Sequence, residues 1–237
     1  MGIDVLLIIV VVSAIAGAVQ ATTGSGLALV AAPGLLLIDP GFVPVPLLVA
    51  GIAIAVRHAV VERHAIDRST LIHAVVALIP GVLVGAGIRA IAPELVLTLV
   101  VAALVTVSAG ALLFLPARTI PYGGVFGGFA GGLASILAGL PGPPLVVALQ
   151  HLRPAALRAT TSAYLLCVIV MTVGTLAVTG EIGRHELDLT LTLVPGVGIG
   201  LLAGRFLRSH LDGERFRKTV LIIALLSGIA VAASALR

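Results

Sequence analysis

The chain has very little of what a water-soluble domain needs at its surface. Only 10% of its 237 residues are charged, 59% are hydrophobic, and the mean hydropathy is +1.24. Soluble domains carry about 25% charged residues, so water cannot be the solvent for most of this surface. The deficit argues against a soluble enzyme or binding module. It predicts several membrane crossings of roughly 20 apolar residues each.

Cysteine and aromatic residues are also scarce. Cys167 is the single cysteine, which excludes an intramolecular disulfide and a cysteine-only metal site. Tryptophan is absent and aromatics make up 3% of the chain, so an aromatic belt at the membrane interfaces is thin. No basic stretch precedes the first apolar run, which predicts a retained helix at residues 3–19 and not a cleaved signal.

Carboxylates are missing from the middle of every apolar segment. All ten acidic residues lie in predicted loops or near segment ends, which argues against a carrier of metal cations or polyamines. The chain also lacks His-x-x-x-His, Gly-x-Ser-x-Gly and Walker-type patterns. We therefore expect no enzyme activity, no cofactor and no metal site. The net charge of +4 is expected from loop topology and not from nucleic-acid binding.

Long apolar runs dominate what is present. They are continuous and not alternating, which predicts helices and not a barrel. Several are too short to span alone, and two follow breaks at Thr22-Thr23-Gly24-Ser25-Gly26 and Leu140-Pro141-Gly142-Pro143-Pro144. We therefore predict two helix–break–helix units, one from segments one and two and one from segments six and seven of the ten given next, either spanning or re-entrant. The ten segments are 3–20, 26–38, 43–57, 69–89, 94–115, 121–139, 142–150, 155–178, 187–204 and 216–235.

One unit recurs along the chain. Residues 63–67 (Arg-His-Ala-Ile-Asp) return as residues 184–188 (Arg-His-Glu-Leu-Asp), and each copy precedes an apolar run that opens on Pro-Gly, at Pro80 and Pro195. The spacing from the motif to the Pro-Gly differs, which predicts a six-residue insertion or deletion. Doubled units with Gly/Pro-interrupted segments are typical of secondary transporters. We predict repeats at residues 1–115 and 121–237 within one membrane domain, residues 1–237.

Basic residues predict the orientation. If each segment crosses, or each broken pair dips and returns, one side carries eleven of the 14 basic residues and is cytoplasmic. Both termini then lie outside, and the two motif copies fall on opposite sides, so the repeats are predicted to be inverted. The eleven are Arg57, Arg63, Arg68, Arg118, Arg153, Arg158, Arg205, Arg208, Arg215, Arg217 and Lys218; the other three are Arg89, Arg184 and Arg237.

The interior offers hydroxyls, amides and helix breaks in place of charges. A helix N-terminus presents unpaired N–H groups and a positive dipole end, which suits an anion. Two broken segments that face each other could surround a small anion with neutral donors. The predicted anion-binding residues are Gln20, Thr22, Thr23, Gly24, Ser25, Gly26, Gly139, Pro141, Gly142, Gln150, Thr160, Thr161 and Ser162.

Simpler interpretations stand beside this one. Hydroxyls in membrane helices often bond their own backbone, and Thr160 to Ser162 fit a helix cap as well as a ligand site. Arg158 fits a topology anchor better than a ligand, and Arg57-His58 is expected in a loop. Close helix packing is favoured for Gly17, Gly85, Gly87, Gly128, Gly200 and Gly204.

These residues resemble the TauE/SafE family of membrane permeases, the sulfite exporters. The likeness rests on Gly-rich starts at residues 17–33 and 123–144, on residues 159–162 (Ala-Thr-Thr-Ser), and on loop ends at residues 65–67 and 186–188. The first half departs with Val-Ala-Gly-Ile at residues 49–52 where a Thr-Ser element belongs. The resemblance implies a secondary permease for small sulfur-containing anions such as sulfite, thiosulfate or organosulfonates.

The resulting prediction is an all-α, polytopic transmembrane bundle of two inverted repeats with broken or re-entrant helices. It would transport a small anion across a bacterial inner membrane by alternating access, with the lipid bilayer as its other partner. An anion channel of the same fold and a non-transporting subunit of a larger complex are the alternatives; saturable flux distinguishes the carrier. The sequence fits a monomer or a homodimer equally.

Overall fold

The computed structural model describes residues 2–116, 118–210 and 213–235, with the backbone alone for residues 205–210 and 213–217. These residues form helices and two 3₁₀ turns, Pro40–Phe42 and Arg63–Ala65, and contain no strand. Arg205, Arg208, Arg215 and Arg217, which support the orientation prediction, lie outside the described side chains, and Arg237 lies outside the described residues. The helices are α1 Ile3–Thr23, α2 Leu27–Leu36, α3 Val45–Ala50, α4 Ile52–Val61, α5 Arg68–Ile91, α6 Glu94–Phe114, α7 Gly123–Ala138, α8 Gly142–Ala148, α9 Pro154–Val178, α10 Arg184–His210 and α11 Gly213–Ala235.

Six of these helices are long and apolar enough to cross a membrane: α1, α5, α6, α9, the first part of α10 and the last part of α11. Large apolar side chains remain exposed on their outer sides, as Ile72, Val76 and Leu83 do on α5. Such a surface is stable only against lipid. The prediction of an all-α, multi-pass membrane bundle is confirmed.

The helices that follow the two breaks are too short to cross. With 10 and 7 residues, α2 and α8 reach about 15 and 10 Å at 1.5 Å per residue, against a hydrocarbon core of about 30 Å. Each follows a longer helix, α1 or α7, after a three-residue break, at residues 24–26 and 139–141. The predicted helix–break–helix units are therefore confirmed at both places.

The third apolar segment differs from its prediction. It is divided at Gly51 into α3 and α4, and it continues through Val61 instead of ending at residue 57. His58 lies inside α4 with 1% of its surface exposed, and its Nε2 is 3.1 Å from the Ala21 carbonyl oxygen. The expectation of a loop at Arg57-His58 is wrong, because this hydrogen bond lets the ring be buried against α1.

The recurring Arg-His-x-x-Asp motif does not occupy equivalent places in the two halves. In the first copy it precedes α5, and Asp67 caps that helix. In the second it forms the first turn of α10, where the Glu186 carboxylate accepts the N–H of the residue just before the helix. Pro80 lies 12 residues after the start of α5, and Pro195 lies 11 after the start of α10. The six-residue difference in spacing therefore reflects where the motif lies relative to the helix start, before α5 in one copy and inside α10 in the other.

Glycines line two long helix contacts between the halves. Helix α1 packs along α10, and α5 packs along α7. A Cβ atom would meet the facing helix at Gly17, Gly85, Gly128, Gly200 and Gly204, which confirms the packing interpretation for these five. For Gly87 the interpretation is wrong, because no atom outside its own helix lies within 4 Å of the Cβ position.

Candidate functional site

The two helix breaks have the same local geometry. Helix α1 ends at Gly24 (φ +85°) and α7 ends at Gly139 (φ +65°), both in the left-handed region that favours glycine. The Gly24 N–H donates to the Gln20 carbonyl at 2.8 Å, and the Gly139 N–H donates to the Ser135 carbonyl at 2.8 Å. Gln20 and Ser135 therefore stand at matching positions, each with a buried polar side chain.

The Gln20 side chain connects the first break to the third segment. Its Nε2 donates to the Gly51 carbonyl at 3.3 Å, and its Oε1 accepts the Leu27 N–H, the first of α2, at 3.2 Å. A Cβ at Gly51 would lie 3.1 Å from Nε2, so glycine gives the amide room to approach. One buried side chain thus satisfies a helix N-terminus and the carbonyl between α3 and α4.

Ser135 makes the corresponding connection in the second half. Its hydroxyl donates to the Gly132 carbonyl at 2.6 Å and lies 2.7 Å from the Thr172 hydroxyl on α9. Since the serine proton is used on Gly132, Thr172 donates to Ser135. Both side chains are fully buried. Each break is therefore attached to a later segment of the chain, at Gly51 or at Thr172, by a polar side chain four residues before its glycine.

The two breaks contact each other. A Cβ at Gly142 would lie 2.9 Å from the Ser25 Cβ, so the starts of α2 and α8 are in contact. Between them lies a cavity of about 30 Å³, called here the central cavity, with room for about two water molecules. Six predicted site residues line it: Gln20, Ser25, Gly26, Gly139, Pro141 and Gly142.

A second cavity, of about 540 Å³, lies beside the first break, and Arg158 is the one charged residue among the described side chains that line it. We call it the Arg158 cavity. Five predicted site residues line it: Thr22, Thr23, Ser25, Gly26 and Gln150. The Thr22 and Thr23 hydroxyls both donate to the Val19 carbonyl at 2.8 Å, and Thr23 also contacts the Ser25 carbonyl. In this conformation both hydroxyls present lone pairs, and not protons, to the cavity.

Thr160, Thr161 and Ser162 lie on α9 and line neither of these cavities. Thr160 accepts the Asp67 N–H at 2.9 Å, which joins α9 to the start of α5. The Thr161 and Ser162 hydroxyls are buried without a partner among the described residues. Gly24 lies in the first break, but its Cβ position faces the Arg158 stem. Direct contact of these four with an anion stays a prediction.

Arg158 is bound to Glu62, the residue that follows α4. Its Nη2 donates to Oε1 at 2.9 Å, and its Nε lies 3.3 and 3.2 Å from the two carboxylate oxygens. Only 11% of the arginine side chain and 15% of the glutamate side chain are exposed. The pair is therefore largely removed from solvent, where charge-assisted hydrogen bonds are strong.

A third cavity, of about 250 Å³, lies at the opposite ends of α5 and α9. Arg89 and Glu181 pair there at 2.6 Å, so we call it the Arg89 cavity. Glu94 and Glu186 also line it, which gives it three carboxylates against one guanidinium. The central cavity is thus flanked by a larger cavity toward each end of the bundle.

Comparison with protein families decides the family. The model described as "Sulfite exporter TauE/SafE" matches residues 9–231, from within α1 to within α11. The chain belongs to the TauE/SafE family. No curated protein and no solved structure matches it significantly. The TauE/SafE family is a transporter family, which agrees with the expectation that the chain is not an enzyme.

Two residues of this TauE/SafE site were not among the sequence predictions. The Gly51 carbonyl accepts a hydrogen bond from the Gln20 side-chain amide. The sequence feature that pointed to Gly51 is the departure from the Thr-Ser pattern at residues 49–52. Arg158 lines the large cavity, although its position before the Thr-Thr-Ser run favoured a topology anchor. Neither contact follows from one sequence, because the partners lie 31 and 96 residues apart.

Proposed function

We propose that this TauE/SafE protein is a secondary transporter of small anions, with sulfite, thiosulfate and organosulfonates as substrates. One observation carries the proposal. Two helix breaks of the same geometry meet at the small, polar central cavity, which lies between the Arg158 cavity and the Arg89 cavity. A small charged solute crossing a membrane protein needs such a point, where non-helical backbone lies inside the protein and not against lipid.

The contacts support two inverted repeats. Helices α1 and α7 are equivalent in this scheme, as are α5 and α10, and the contact of α1 with α10 is then the counterpart of the contact of α5 with α7. The breaks at Gly24 and Gly139 match in the same way. Inverted repeats support alternating access, because the two halves can exchange conformations around a shared central site.

The size of the central cavity favours a carrier over an open channel. Its volume of about 30 Å³ is too small for a four-atom oxyanion such as sulfite, so an anion can pass only after the breaks move apart. The inferred cycle has an anion entering one flanking cavity, the breaks separating around it, and the opposite cavity receiving it. The predicted site residues Gln20, Ser25, Gly26 and Gly142 would then contact the anion during passage.

The orientation belongs to the same proposal. With the Arg158 end cytoplasmic and both termini outside, the large cavity opens toward the cytoplasm of a bacterium and the Arg89 cavity opens outward. An arginine-containing cytoplasmic cavity suits collection of an anion for export. A cysteine introduced at exposed Ile3 in the Cys167→Ala background tests this, since a membrane-impermeant thiol reagent should label it from outside intact cells.

Flux in proteoliposomes tests the function. We expect labelled sulfite or thiosulfate uptake that saturates and is accelerated by the same anion on the other side, since counterflow marks a carrier. A thermal-shift panel of sulfite, thiosulfate, sulfate, taurine and acetate should show stabilisation by the transported anion, because a ligand that binds only the folded state raises its stability. Unsaturable flux would indicate a channel. Stabilisation by cations alone, or no flux of any of these anions, would contradict the proposal.

A further inference from the structure

The Arg158 cavity has one feature that the predicted neutral site does not explain. Among the described residues that line it, Arg158 is the single charged one. The threonine hydroxyl protons on its wall are already used on the Val19 carbonyl. A cavity of about 540 Å³ therefore offers an entering anion one strong donor, the Arg158 guanidinium.

Glu62 accepts hydrogen bonds from only some of the N–H groups of the Arg158 guanidinium. Nε and Nη2 contact the carboxylate, while Nη1 has no hydrogen-bond partner among the described residues. A guanidinium carries five N–H donors in a planar fork that matches an oxyanion in a two-point contact. An anion can therefore begin to bind at the free edge before the glutamate is released.

Glu62 is placed at a helix end that does not favour a carboxylate. It is the C-cap residue of α4, and a negative charge at a helix C-terminus opposes the helix dipole. A buried ion pair also recovers its desolvation cost only through close contact with its partner. The helix dipole thus lowers the cost of exchanging the Glu62 carboxylate for another anion, and the entering anion must take over the close contact with Arg158 as the carboxylate leaves.

The Arg158 stem is packed against the first break. A Cβ at Gly24 would lie 2.8 Å from the arginine Cγ and 2.9 Å from its Cα. Any movement of the arginine from Glu62 toward the cavity therefore changes the contact at the residue where α1 ends. Anion binding at Arg158 and movement of the break are mechanically linked.

We propose that Arg158 is the cationic ligand of the transported anion, and that Glu62 occupies it until the anion displaces the carboxylate. This inference rests on the proposed anion transport. The Arg89 cavity lacks the same property, because its guanidinium is outnumbered by the carboxylates of Glu94, Glu181 and Glu186. Anion selectivity is thus set at the Arg158 end.

Four variants test the inference by equilibrium binding of labelled sulfite and thiosulfate to the purified protein and by flux in proteoliposomes. Arg158→Gln should weaken binding at least about tenfold, as expected for a lost charge-assisted hydrogen bond. Glu62→Gln should tighten it, because the competing carboxylate is gone. Arg63→Gln is the matched control: it removes an exposed positive charge from the same end without touching the cavity, and its affinity should equal that of the wild type.

The double exchange Glu62→Arg/Arg158→Glu separates the ligand role from a structural one. It retains an ion pair between α4 and α9 but puts a carboxylate where the ligand was, so folding should be restored while anion binding is lost. Recovery of wild-type binding by the exchange, or weaker binding in Glu62→Gln, would overturn the inference. If the wild type binds and transports anions while Arg158→Gln does the same, only this inference fails. If the wild type binds none of the anions, the proposed function fails with it.

Discussion

The Gln20 side chain offers the sharpest test of how the breaks are held. Gln20→Met keeps the length of the side chain but removes both hydrogen bonds, to the Gly51 carbonyl and from the Leu27 N–H. The position is 5% exposed, so bulk water cannot replace the lost partners. The Leu27 N–H is left without its acceptor, whereas the Gly51 carbonyl still accepts the Ala55 N–H at 3.0 Å.

The expected cost can be worked from these two backbone groups. The unsatisfied Leu27 N–H costs about 1–3 kcal/mol, and the lost second bond to the Gly51 carbonyl adds about 0.5–1.5 kcal/mol. The native bonds are long, at 3.3 and 3.2 Å, and the central cavity has room for water. Both facts place the expected loss in the free energy of unfolding in the lower part of that range, at ~1.5–3 kcal/mol.

Reversible unfolding in mixed detergent micelles, followed by far-ultraviolet circular dichroism, measures this loss. The matched control is Gln150→Met, which changes the same atoms at a half-buried position with no side-chain hydrogen bond to a described residue. We expect the control to stay within about 0.5 kcal/mol of the wild type. If Gln20→Met unfolds at the same free energy as this control, then the amide does not hold the break and the reasoning is refuted.

Three further predictions concern α9 and the contact between α5 and α7, and each is measured by the same unfolding assay. Thr172→Val should lower the free energy of unfolding by about 1–2 kcal/mol, since the buried Ser135 hydroxyl loses its donor; an unchanged value would contradict the connection. Gly81→Ala should lower the free energy of unfolding by about 1–3 kcal/mol, because its Cβ would meet the Phe129 carbonyl oxygen across the α5–α7 contact. An unchanged free energy of unfolding would show that α5 and α7 can move apart at this contact. Gly174→Ala should instead stabilise by about 0.5–1 kcal/mol, because nothing lies near its Cβ position inside α9; destabilisation would mean that a neighbour approaches there.

Much of the fold could be predicted because solvent and chain length determine it. Continuous apolar runs in lipid are stable only as helices, and the positions of the breaks followed from the glycines and prolines within them. The predicted start of a helix was close to the observed one where a capping residue precedes it, as Asp67 precedes α5. The prediction failed at His58 because burial of a histidine depends on a carbonyl 37 residues away.

The site was less accessible from sequence. Residues near the breaks, such as Ser25 and Gly142, could be named because a break is a local property. Their contact with each other, and the role of Gly51, depend on how distant segments meet. Arg158 was interpreted as a topology anchor because a basic residue at a loop end serves topology in most membrane proteins, and only the cavity beside it indicates a second role.

The contacts of α1 with α10 and of α5 with α7 have a consequence for how the molecule is assembled. The first long helix of the chain has its main partner near the other terminus, and α7 has its main partner in α5, so each of these long contacts joins distant parts of the chain. A chain cut near Pro116 should yield two fragments that are degraded when expressed singly and that recover a folded protein when expressed together. In that sense the two fragments are subunits of one protein that are joined by a single peptide segment.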